Sequence, residues 1–213
     1  MSSAPLLRPR KIIGVGKNYR AHATELDTDV PSEPLIFLKP PTALISDGAE
    51  IVLPPDSNQV EFEGEIGLVI GIRTRHASED DARHVIRGVI AVNDVTARDL
   101  QHRDGQWTRA KGFDTFLPVG EERPYHAAWD ALTLVTRVNG TERQRVTAGL
   151  MVFAIPRLIA FISRVMTLEP GDLIATGTPA GVGKLARGDT VEVEISGPRG
   201  VVSRVRNPVI DAE

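Results

Sequence analysis

The sequence predicts one domain of the α+β class that is mostly β, and three observations point to it. The chain has 213 residues, which suits one domain with a sizeable core better than two small ones. Short apolar runs recur along its length, separated by turns that use many of its 19 glycines and 15 prolines. Helical patterns are few. Many short strands with few helices favour a mostly-β or α+β domain over a doubly wound parallel sheet.

The predicted strands are the short apolar runs, because each has the length of a strand and is bounded by turn residues. In chain order they are KIIGVG, PLIFLK, EIVLP, EIGLVIGI, GVIAVNDV, LTLVTRVNG, DLIATG, DTVEVEIS and GVVSRVRN. Asn139 and Gly140 predict a β-hairpin after LTLVTRV, since both residues accept the positive φ of a two-residue turn.

Three segments carry helical signals. Ser78 and Asp81 resemble a capping box that opens a helix over EDDARHVI. Pro156 suits the first turn of PRLIAFISRVM, whose apolar residues recur at helical spacing. The segment NYRAHATEL is expected to form one or two helical turns.

Composition excludes several classes of function. The 25 basic and 28 acidic residues give a net charge of −3 without a basic tract, which argues against nucleic acid as a partner. Cysteine is absent, so disulfides, zinc–thiolate sites and a cysteine nucleophile are excluded. The start of the chain lacks the apolar core of a signal peptide, and MVFAIPRLIAFI is too short to span a bilayer. We therefore expect a cytoplasmic protein with no membrane partner.

Two glycine-rich segments resemble nucleotide-binding motifs but fail in detail. GVGKNY has Tyr19 where a dinucleotide fingerprint needs its third glycine. GTPAGVGK has Thr178 at the first glycine of a phosphate loop and Leu185 where Ser or Thr should follow the lysine. Both are interpreted as turns. No G-x-S-x-G or H-E-x-x-H occurs, so a serine esterase and a zincin are unsupported.

The segment VEFEGEIGLVIG places Glu61, Glu63 and Glu65 at alternate positions, which face the same side of a strand. A solvent-facing acidic strand would explain them, but the segment is almost wholly apolar after Glu65, as in a strand buried on both faces. Buried carboxylates need a counter-charge, and a hard divalent cation supplies one. Asp94 follows a second apolar run and could add a third carboxylate. An ion-pair network remains the alternative.

Five motifs carry a resemblance to a known family. They are LIFLKPPTA, EFEGEIGLVIG, AVNDVTARDLQ, QWTRAKGFDTFLPVG and LEPGDLIATGTPAGVG. Their order and spacing resemble the fumarylacetoacetate hydrolase family, and in particular its compact acylpyruvase, fumarylpyruvate hydrolase and oxaloacetate decarboxylase branch. The resemblance implies the family's mixed β-sandwich or roll with a few short helices. It also implies a single catalytic domain over residues 1–213, with an N-terminal extension at about 1–10 and a lid at about 18–34.

The resemblance further implies a metal site. The family binds Mg²⁺ or Mn²⁺ through an E-x-E pair and a later aspartate, which correspond here to Glu63, Glu65 and Asp94. Glu61 is then expected at the surface or one shell outside the ligands. Larger family members add an aspartate ligand from a segment that corresponds to GVGKNYRAH, which contains no carboxylate. This difference favours the compact branch.

The remaining site residues are also implied by the resemblance. Lys111 matches the active-site lysine, while Arg98, Gln101 and Thr178 match positions that line the polar end of the substrate. For Arg98 the alternative is a salt bridge with Asp99 or with another local acid. Only five of the 25 basic residues are lysines, so a lysine in an apolar setting is mildly informative. Lys39 is expected to hold the loop beside the site.

His22 and Glu25, three residues apart, match a catalytic dyad that the family's compact members carry on a mobile lid. In that role the histidine takes a proton from water and the glutamate orients it. Judged without the family, a lone histidine on a short helix is more often an exposed surface residue.

The function implied is a divalent-metal-dependent hydrolase. It would cleave a C–C bond of an acylpyruvate-like 2,4-dioxo acid to pyruvate and a carboxylic acid through an enolate held at the metal. Oxaloacetate decarboxylation and isomerisation of a 2-hydroxyhepta-2,4-diene-1,7-dioate type of substrate are the alternatives at the same site. A non-enzymatic domain with a structural Ca²⁺ is a third, although Ca²⁺ prefers more oxygens than three side chains supply. The expected partners are a small 2-oxo acid and a second copy of the chain in a homodimer.

Overall fold

The computed structural model describes residues 7–125 and 128–212, so residues 1–6 of the predicted extension lie outside the described residues. In chain order the strands are β1 Ile12–Gly16, β2 Leu35–Lys39, β3 Leu44–Ile45, β4 Ile51–Leu53, β5 Val60–Phe62, β6 Gly64–Ile70, β7 Ile86–Asn93, β8 Thr96–Ala97, β9 Leu117–Pro118, β10 Thr133–Val138, β11 Thr141–Thr147, β12 Leu173–Ala175, β13 Gly183–Lys184, β14 Thr190–Gly197 and β15 Gly200–Asp211. The α-helices are α1 Arg20–Glu25, α2 Ala82–Val85, α3 Arg98–Asp104, α4 Thr108–Gly112 and α5 Ile155–Val165. Single 3-10 turns occur at Pro41–Ala43, Trp129–Ala131 and Ala148–Leu150.

The mostly-β fold class is confirmed, and each apolar run that predicts a strand forms one. Asn139 and Gly140 connect β10 and β11 with φ of 51° and 78°, the left-handed conformations that a tight hairpin requires. Strand β6 is buried at every residue, as its unbroken apolar pattern predicts.

The three predicted helices form, with one correction in length, whereas the helices α3 and α4 were not predicted. The Ser78 main-chain N–H donates to Asp81 Oδ2 at 2.8 Å and the Asp81 main-chain N–H donates to Ser78 Oγ at 3.3 Å, which is the reciprocal pair of a capping box. The helix that follows, α2, spans only Ala82–Val85, so the prediction of a helix over all of EDDARHVI is wrong in length. Residues 79–81 form a turn instead of the first part of the helix, and the helix ends at Val85 because Ile86 begins β7 and pairs with Ile70 of β6. In the described ranges, no helix is both long and apolar enough to cross a bilayer.

Two five-stranded sheets form most of the structure. The first has the order β2-β1-β12-β6-β7, and the second has the order β11-β10-β14-β15-β4. Within these two sheets, neighbouring strands are antiparallel except for β1 with β12 and β15 with β4. A three-stranded sheet, β13-β5-β8, and a two-stranded sheet, β3-β9, complete the arrangement.

The main core lies between the two large sheets and under helix α5. Ile66 and Leu68 of β6 are fully buried with Leu134 of β10 and Ile195 of β14. From α5, one apolar face enters the same cluster through Ile155, Leu158, Ile159 and Ile162. The two sheets therefore form a sandwich closed on one side by a helix.

The acidic segment lies where the chain passes from one sheet to another. Strand β5 belongs to the three-stranded sheet and β6 to the first large sheet, with Glu63 at the junction. At the next residue, Gly64, strand β10 of the second sheet comes very close. A Cβ on Gly64 would lie 1.9 Å from Thr136 Oγ1 and 3.0 Å from Gln144 Oε1. Only glycine allows the sheets to meet at this point.

The segment predicted to be a lid, residues 18–34, differs in burial along its length. Its first part is held by Asn18, Tyr19, His22 and Ala23, which are all buried. Most residues from Asp27 to Glu33 are exposed. Motion of this segment stays a prediction, and the burial concentrates that prediction on residues 26–34, which have little apolar area to hold them in place.

Gly64→Ala is expected to destabilise the protein by about 1–3 kcal/mol, because the new methyl group overlaps Thr136 Oγ1. Urea unfolding would measure the loss. Thr136→Ala removes the obstructing hydroxyl, which has no hydrogen-bond partner in the described ranges. Adding it to Gly64→Ala should restore about half of the lost free energy or more. Gly183→Ala, whose methyl would meet Phe62 at 3.4 Å, is the matched control and should be nearly neutral. A neutral Gly64→Ala would contradict the close contact.

Candidate metal centre

Three buried carboxylates meet at the ends of adjacent strands. Glu63 precedes β6, Glu65 is its second residue, and Asp94 directly follows β7, which pairs with β6 in antiparallel register. One oxygen atom from each carboxylate lies within 4.8 Å of the others. We call Glu63, Glu65 and Asp94 the carboxylate cluster. Three oxygen donors at this separation could hold one divalent ion.

Glu65 shows the electrostatic cost of the cluster. Its Oε2 accepts a hydrogen bond from the Gly177 main-chain N–H at 2.7 Å. Burial, together with the negative charges of Asp94 and Glu63, nevertheless raises the pKa of Glu65 well above its usual value. Burial and the Glu65 charge likewise raise the pKa of the Tyr19 hydroxyl. Glu65 therefore needs either a proton or a cation.

The other cluster members are neutralised by lysines. Lys111 Nζ donates to Glu63 Oε2 at 2.6 Å and to Asp94 Oδ2 at 2.8 Å, and Lys39 Nζ donates to Asp94 Oδ1 at 2.5 Å. Burial acts to raise the pKa of Glu63, but Lys111 and Arg98 together hold that pKa below its usual range. Lys39, expected to hold a neighbouring loop, thus bonds directly to the cluster.

Arg98 joins Glu61 to the cluster. Its Nε donates to Glu61 Oε2 at 2.8 Å, its Nη2 to Glu63 Oε1 at 2.5 Å and its Nη1 to Gln101 Oε1 at 2.5 Å. Glu61 is buried one shell outside the carboxylate cluster, not at the surface. The structure does show salt bridges of Arg98 with acids, as the alternative predicts, but the partners are Glu61 and Glu63. Asp99 is not a partner, because it accepts hydrogen bonds from Ser57 and Asn58 instead.

The donor set fits a hard divalent cation. Four buried carboxylates, the cluster and Glu61, face three cationic side chains, so one negative charge is left without a partner. That charge corresponds to Glu65, whose side chain forms no ion pair in residues 7–125 and 128–212. A purely structural ion-pair network would be expected to balance its charges. The residues therefore fit a bound metal ion.

His22 and Glu25 form a pair on helix α1. His22 Nδ1 lies 3.0 Å from Glu25 Oε2, and the main-chain N–H of Gly181 donates to Glu25 Oε1 at 2.9 Å. His22 is 3% exposed, so the expectation for an isolated surface histidine does not apply. With Nδ1 bonded to the carboxylate, Nε2 is the nitrogen that can accept a proton.

A cavity of about 280 Å³ opens over the carboxylate cluster. Its polar side holds Glu63, Glu65, Arg98 and Lys111, and its apolar side holds Val15, Leu26, Phe37 and Trp107. The rings of Phe37 and Trp107 pack edge to face at 5.2 Å, and Lys111 Nζ lies 5.0 Å from the centre of the Phe37 ring. The aromatic surface thus lies next to Lys111, one of the charged groups of the cavity lining.

Most of the predicted site residues come together around this cavity. Of the predicted residues, those that line the cavity are His22, Glu63, Glu65, Arg98, Gln101, Lys111 and Thr178. Asp94 lies behind Lys111, and Glu25 supports His22. The Thr178 hydroxyl donates to the Gly64 carbonyl at 2.9 Å and accepts from Gln144 Nε2 at 2.8 Å, so it is already fixed by two bonds. The catalytic and binding roles of these residues stay predictions.

Sequence reasoning missed the aromatic side of the cavity and the part played by two lysines. Phe37 and Trp107 lie in the motifs LIFLKPPTA and QWTRAKGFDTFLPVG, but nothing in these motifs marks the two aromatic residues as cavity residues. The direct contact of Lys39 with Asp94, and the place of Lys17 in the cavity lining, were also missed. The scarcity of lysine was the available signal, since three of the five lysines (Lys17, Lys39 and Lys111) lie at this site.

Comparison with known proteins gives consistent matches. A family model described as fumarylacetoacetate (FAA) hydrolase C-terminal matches residues 11–210. An oxaloacetate tautomerase of Bacillus subtilis is 41% identical over 215 residues, covering 94% of this chain and 71% of that protein. A structure of 5-carboxymethyl-2-hydroxymuconate delta-isomerase from Mycobacterium smegmatis has a TM-score of 0.89 at 44% identity, covering 98% of this chain and 79% of that one. A fumarylpyruvate hydrolase of Pseudomonas aeruginosa, in complex with Mn²⁺ and pyruvate, has a TM-score of 0.89 at 29% identity, covering 99% and 93% of the two chains.

The affinity for Mg²⁺ is expected to increase with pH. The raised pKa of Glu65 keeps a proton on this carboxyl where an ordinary one is ionised, and the ion must displace that proton. Calorimetric titration in two buffers of different ionisation enthalpy should show release of about one proton per ion. Glu65→Gln should abolish tight binding, whereas Glu61→Gln, the matched control outside the cluster, should weaken it far less. Affinity independent of pH would contradict the assignment.

Proposed function

The chain belongs to the fumarylacetoacetate hydrolase family, and from that premise we propose that it hydrolyses a C–C bond of an acylpyruvate-like 2,4-dioxo acid. The products would be pyruvate and a carboxylic acid. The observation that carries this proposal is the His22–Glu25 pair, whose histidine lines the same cavity as Glu63 and Glu65. Hydrolysis needs a base to activate water, and this pair supplies one.

The carboxylate cluster would hold Mg²⁺ or Mn²⁺. When bound there, the ion would act as a Lewis acid on the keto group of the 2-oxo acid. Asp94 is held by Lys39 and Lys111, and Glu63 by Lys111 and Arg98, so these ligands are oriented before any ion arrives. The Mn²⁺ in the related fumarylpyruvate hydrolase supports this class of ion.

The His22–Glu25 pair would carry the proton transfer. Glu25, fixed by Gly181, holds Nδ1 protonated and leaves Nε2 of His22 to take a proton from water. The water oxygen attacks the C4 carbonyl, the C3–C4 bond breaks, and its electron pair stays on C3. His22 can then transfer the proton that it took from water to C3, which gives pyruvate and leaves the histidine neutral.

Arg98, Lys111 and Gln101 would bind the oxygen atoms at the pyruvate end of the substrate. All three line the cavity, and both cations lie beside the carboxylate cluster. Positive groups fixed in a buried site stabilise negative charge that develops on substrate oxygens more strongly than they would in water. Thr178 would contribute to the shape of this end, because its hydroxyl is already bonded to the Gly64 carbonyl and to Gln144.

A second candidate function uses the same end of the cavity without hydrolysis. The relatives include an oxaloacetate tautomerase and a 5-carboxymethyl-2-hydroxymuconate delta-isomerase. Decarboxylation or tautomerisation of oxaloacetate, or isomerisation of a 2-hydroxyhepta-2,4-diene-1,7-dioate, likewise places negative charge on C3 of a 2-oxo acid. In each case we propose a small 2-oxo acid as the ligand and a homodimer as the assembly, with neither nucleic acid nor membrane as a partner.

A substrate panel tests the proposal. Acylpyruvates, fumarylpyruvate, oxaloacetate and an unsaturated hydroxydioate would each be assayed with Mg²⁺ and with a chelator. We expect the dioxo acids to release pyruvate with Mg²⁺. The chelator should abolish turnover, because without the ion at Glu63 and Glu65 no Lewis acid would act on the keto group of the substrate. Turnover of oxaloacetate alone would favour the second candidate. Turnover that resists a chelator would contradict the metal.

His22→Ala should separate hydrolysis from decarboxylation. Losing the proton acceptor should slow acylpyruvate cleavage roughly 10²–10⁴-fold, the usual contribution of a positioned base. Oxaloacetate decarboxylation needs no activated water and should fall much less. Glu25→Gln keeps the shape of the pair and should slow hydrolysis by less than His22→Ala. An equal loss of both activities would mean that His22 positions substrate instead of activating water.

A further inference from the structure

Lys17 has an unusual main-chain conformation at the edge of the cavity. It follows the last residue of β1, lines the cavity and is half-buried. Its φ is 57°, in the left-handed region that a lysine adopts only at a cost and that glycine adopts freely. Such strain persists only where neighbouring contacts impose it, and it is concentrated at functional sites.

The next residue imposes the conformation. Asn18 is fully buried, and its side-chain amide donates to the carbonyl oxygens of Thr176 at 2.8 Å and Phe153 at 3.2 Å. Its Oδ1 accepts from the Phe153 main-chain N–H at 2.8 Å. These bonds join the end of β1 to two distant segments, so the Lys17 main chain is fixed before any ligand binds.

The positive charge of Lys17 is also not paired with a carboxylate in the part of the chain that the structure describes. The other two full cations of the cavity lining, Arg98 and Lys111, are both bonded to cluster or neighbouring carboxylates. In residues 7–125 and 128–212, Lys17 forms no salt bridge with any carboxylate. Since an isolated ammonium group at a half-buried site attracts an anion, this lysine is available to a ligand.

The position of Lys17 along the cavity follows from a chain of contacts. Lys111, beside the carboxylate cluster, lies over Phe37, and Phe37 packs against Trp107. Trp107 in turn covers Gly16, where an added Cβ would lie 2.8 Å from its ring. Lys17 follows Gly16. Along this chain of contacts, Lys111 adjoins the aromatic surface at Phe37 and Lys17 follows the residue that Trp107 covers.

We propose that Lys17 binds the second carboxylate of a dianionic 2-oxo acid, and that it thereby selects dicarboxylate substrates over acylpyruvates with an apolar acyl group. The carbon chain between the two carboxylates would lie along Phe37 and Trp107, which offer an apolar surface of suitable shape. This inference rests on the proposed function in one respect: the 2-oxo end is taken to bind at the carboxylate cluster.

Two ligands of equal length test the proposal without any turnover. 2-Oxoheptanoate carries one carboxylate and 2-oxoheptanedioate carries two. Neither has the 4-oxo group that C–C hydrolysis requires, so binding can be measured by calorimetry with Mg²⁺ present. We expect the wild-type protein to bind the diacid about tenfold more tightly, or more, as one additional charge-assisted hydrogen bond allows. Because no bond is cleaved, the result is independent of whether the protein is a hydrolase.

Variants of Lys17 separate charge from structure. Lys17→Met should remove the preference for the diacid and leave the affinity for the monoacid within about twofold, while Lys17→Arg should retain most of the preference. Lys17→Gly should also lose the preference for the diacid. Its melting temperature should be no lower than that of Lys17→Met, because glycine relieves the strained φ. Arg199→Met, which removes an exposed charge that does not line the cavity, is the matched control and should change neither affinity.

Three results would overturn the proposal. Equal affinity of the wild-type protein for the two ligands would show that no second carboxylate is recognised. A preference that survives in Lys17→Met would place recognition on another residue. Equal weakening of both ligands in Lys17→Met would mean that Lys17 acts at the 2-oxo end.

Discussion

The repulsion among buried carboxylates is the constraint on which the site depends. Glu61, Glu63, Glu65 and Asp94 are each less than a tenth exposed, and charges so close together cannot be buried without counter-charges. Lys39, Lys111 and Arg98 are drawn in from β2, α4 and α3 to neutralise three of them. These ion pairs therefore connect α3 and α4 to the acidic segment, in addition to the apolar packing of Leu100 and Ala110.

The elements that could be predicted from the sequence are those that depend on local pattern. Strands and the Asn139–Gly140 hairpin depend on local pattern and turn chemistry, so they were predictable. The meeting of Glu63, Glu65 and Asp94 was anticipated because each lies at a strand end in a recognisable motif. Their roles in binding or catalysis stay predictions.

Other features depend on contacts between distant segments and could not be read from local pattern. The burial of Glu61 and its bond to Arg98 require the three-stranded sheet to meet α3. The end of α2 at Val85 is set by the pairing of Ile86 with Ile70, and its start comes only after a turn at residues 79–81; a capping signal reveals neither. The aromatic side of the cavity is formed by β2 and the segment between α3 and α4, and no sequence period links Phe37 with Trp107.

Gly64 has a consequence for how such a site can diversify. It lies between two members of the carboxylate cluster, and it is also where the two large sheets come into close contact. Substitutions near it would disturb ion binding and the sandwich core together, so natural selection has little freedom there. The apolar side of the cavity is not constrained in both ways, because Leu26 and Trp107 lie outside the strands. New substrate preferences within this architecture should therefore evolve from that side, while the carboxylate end changes little.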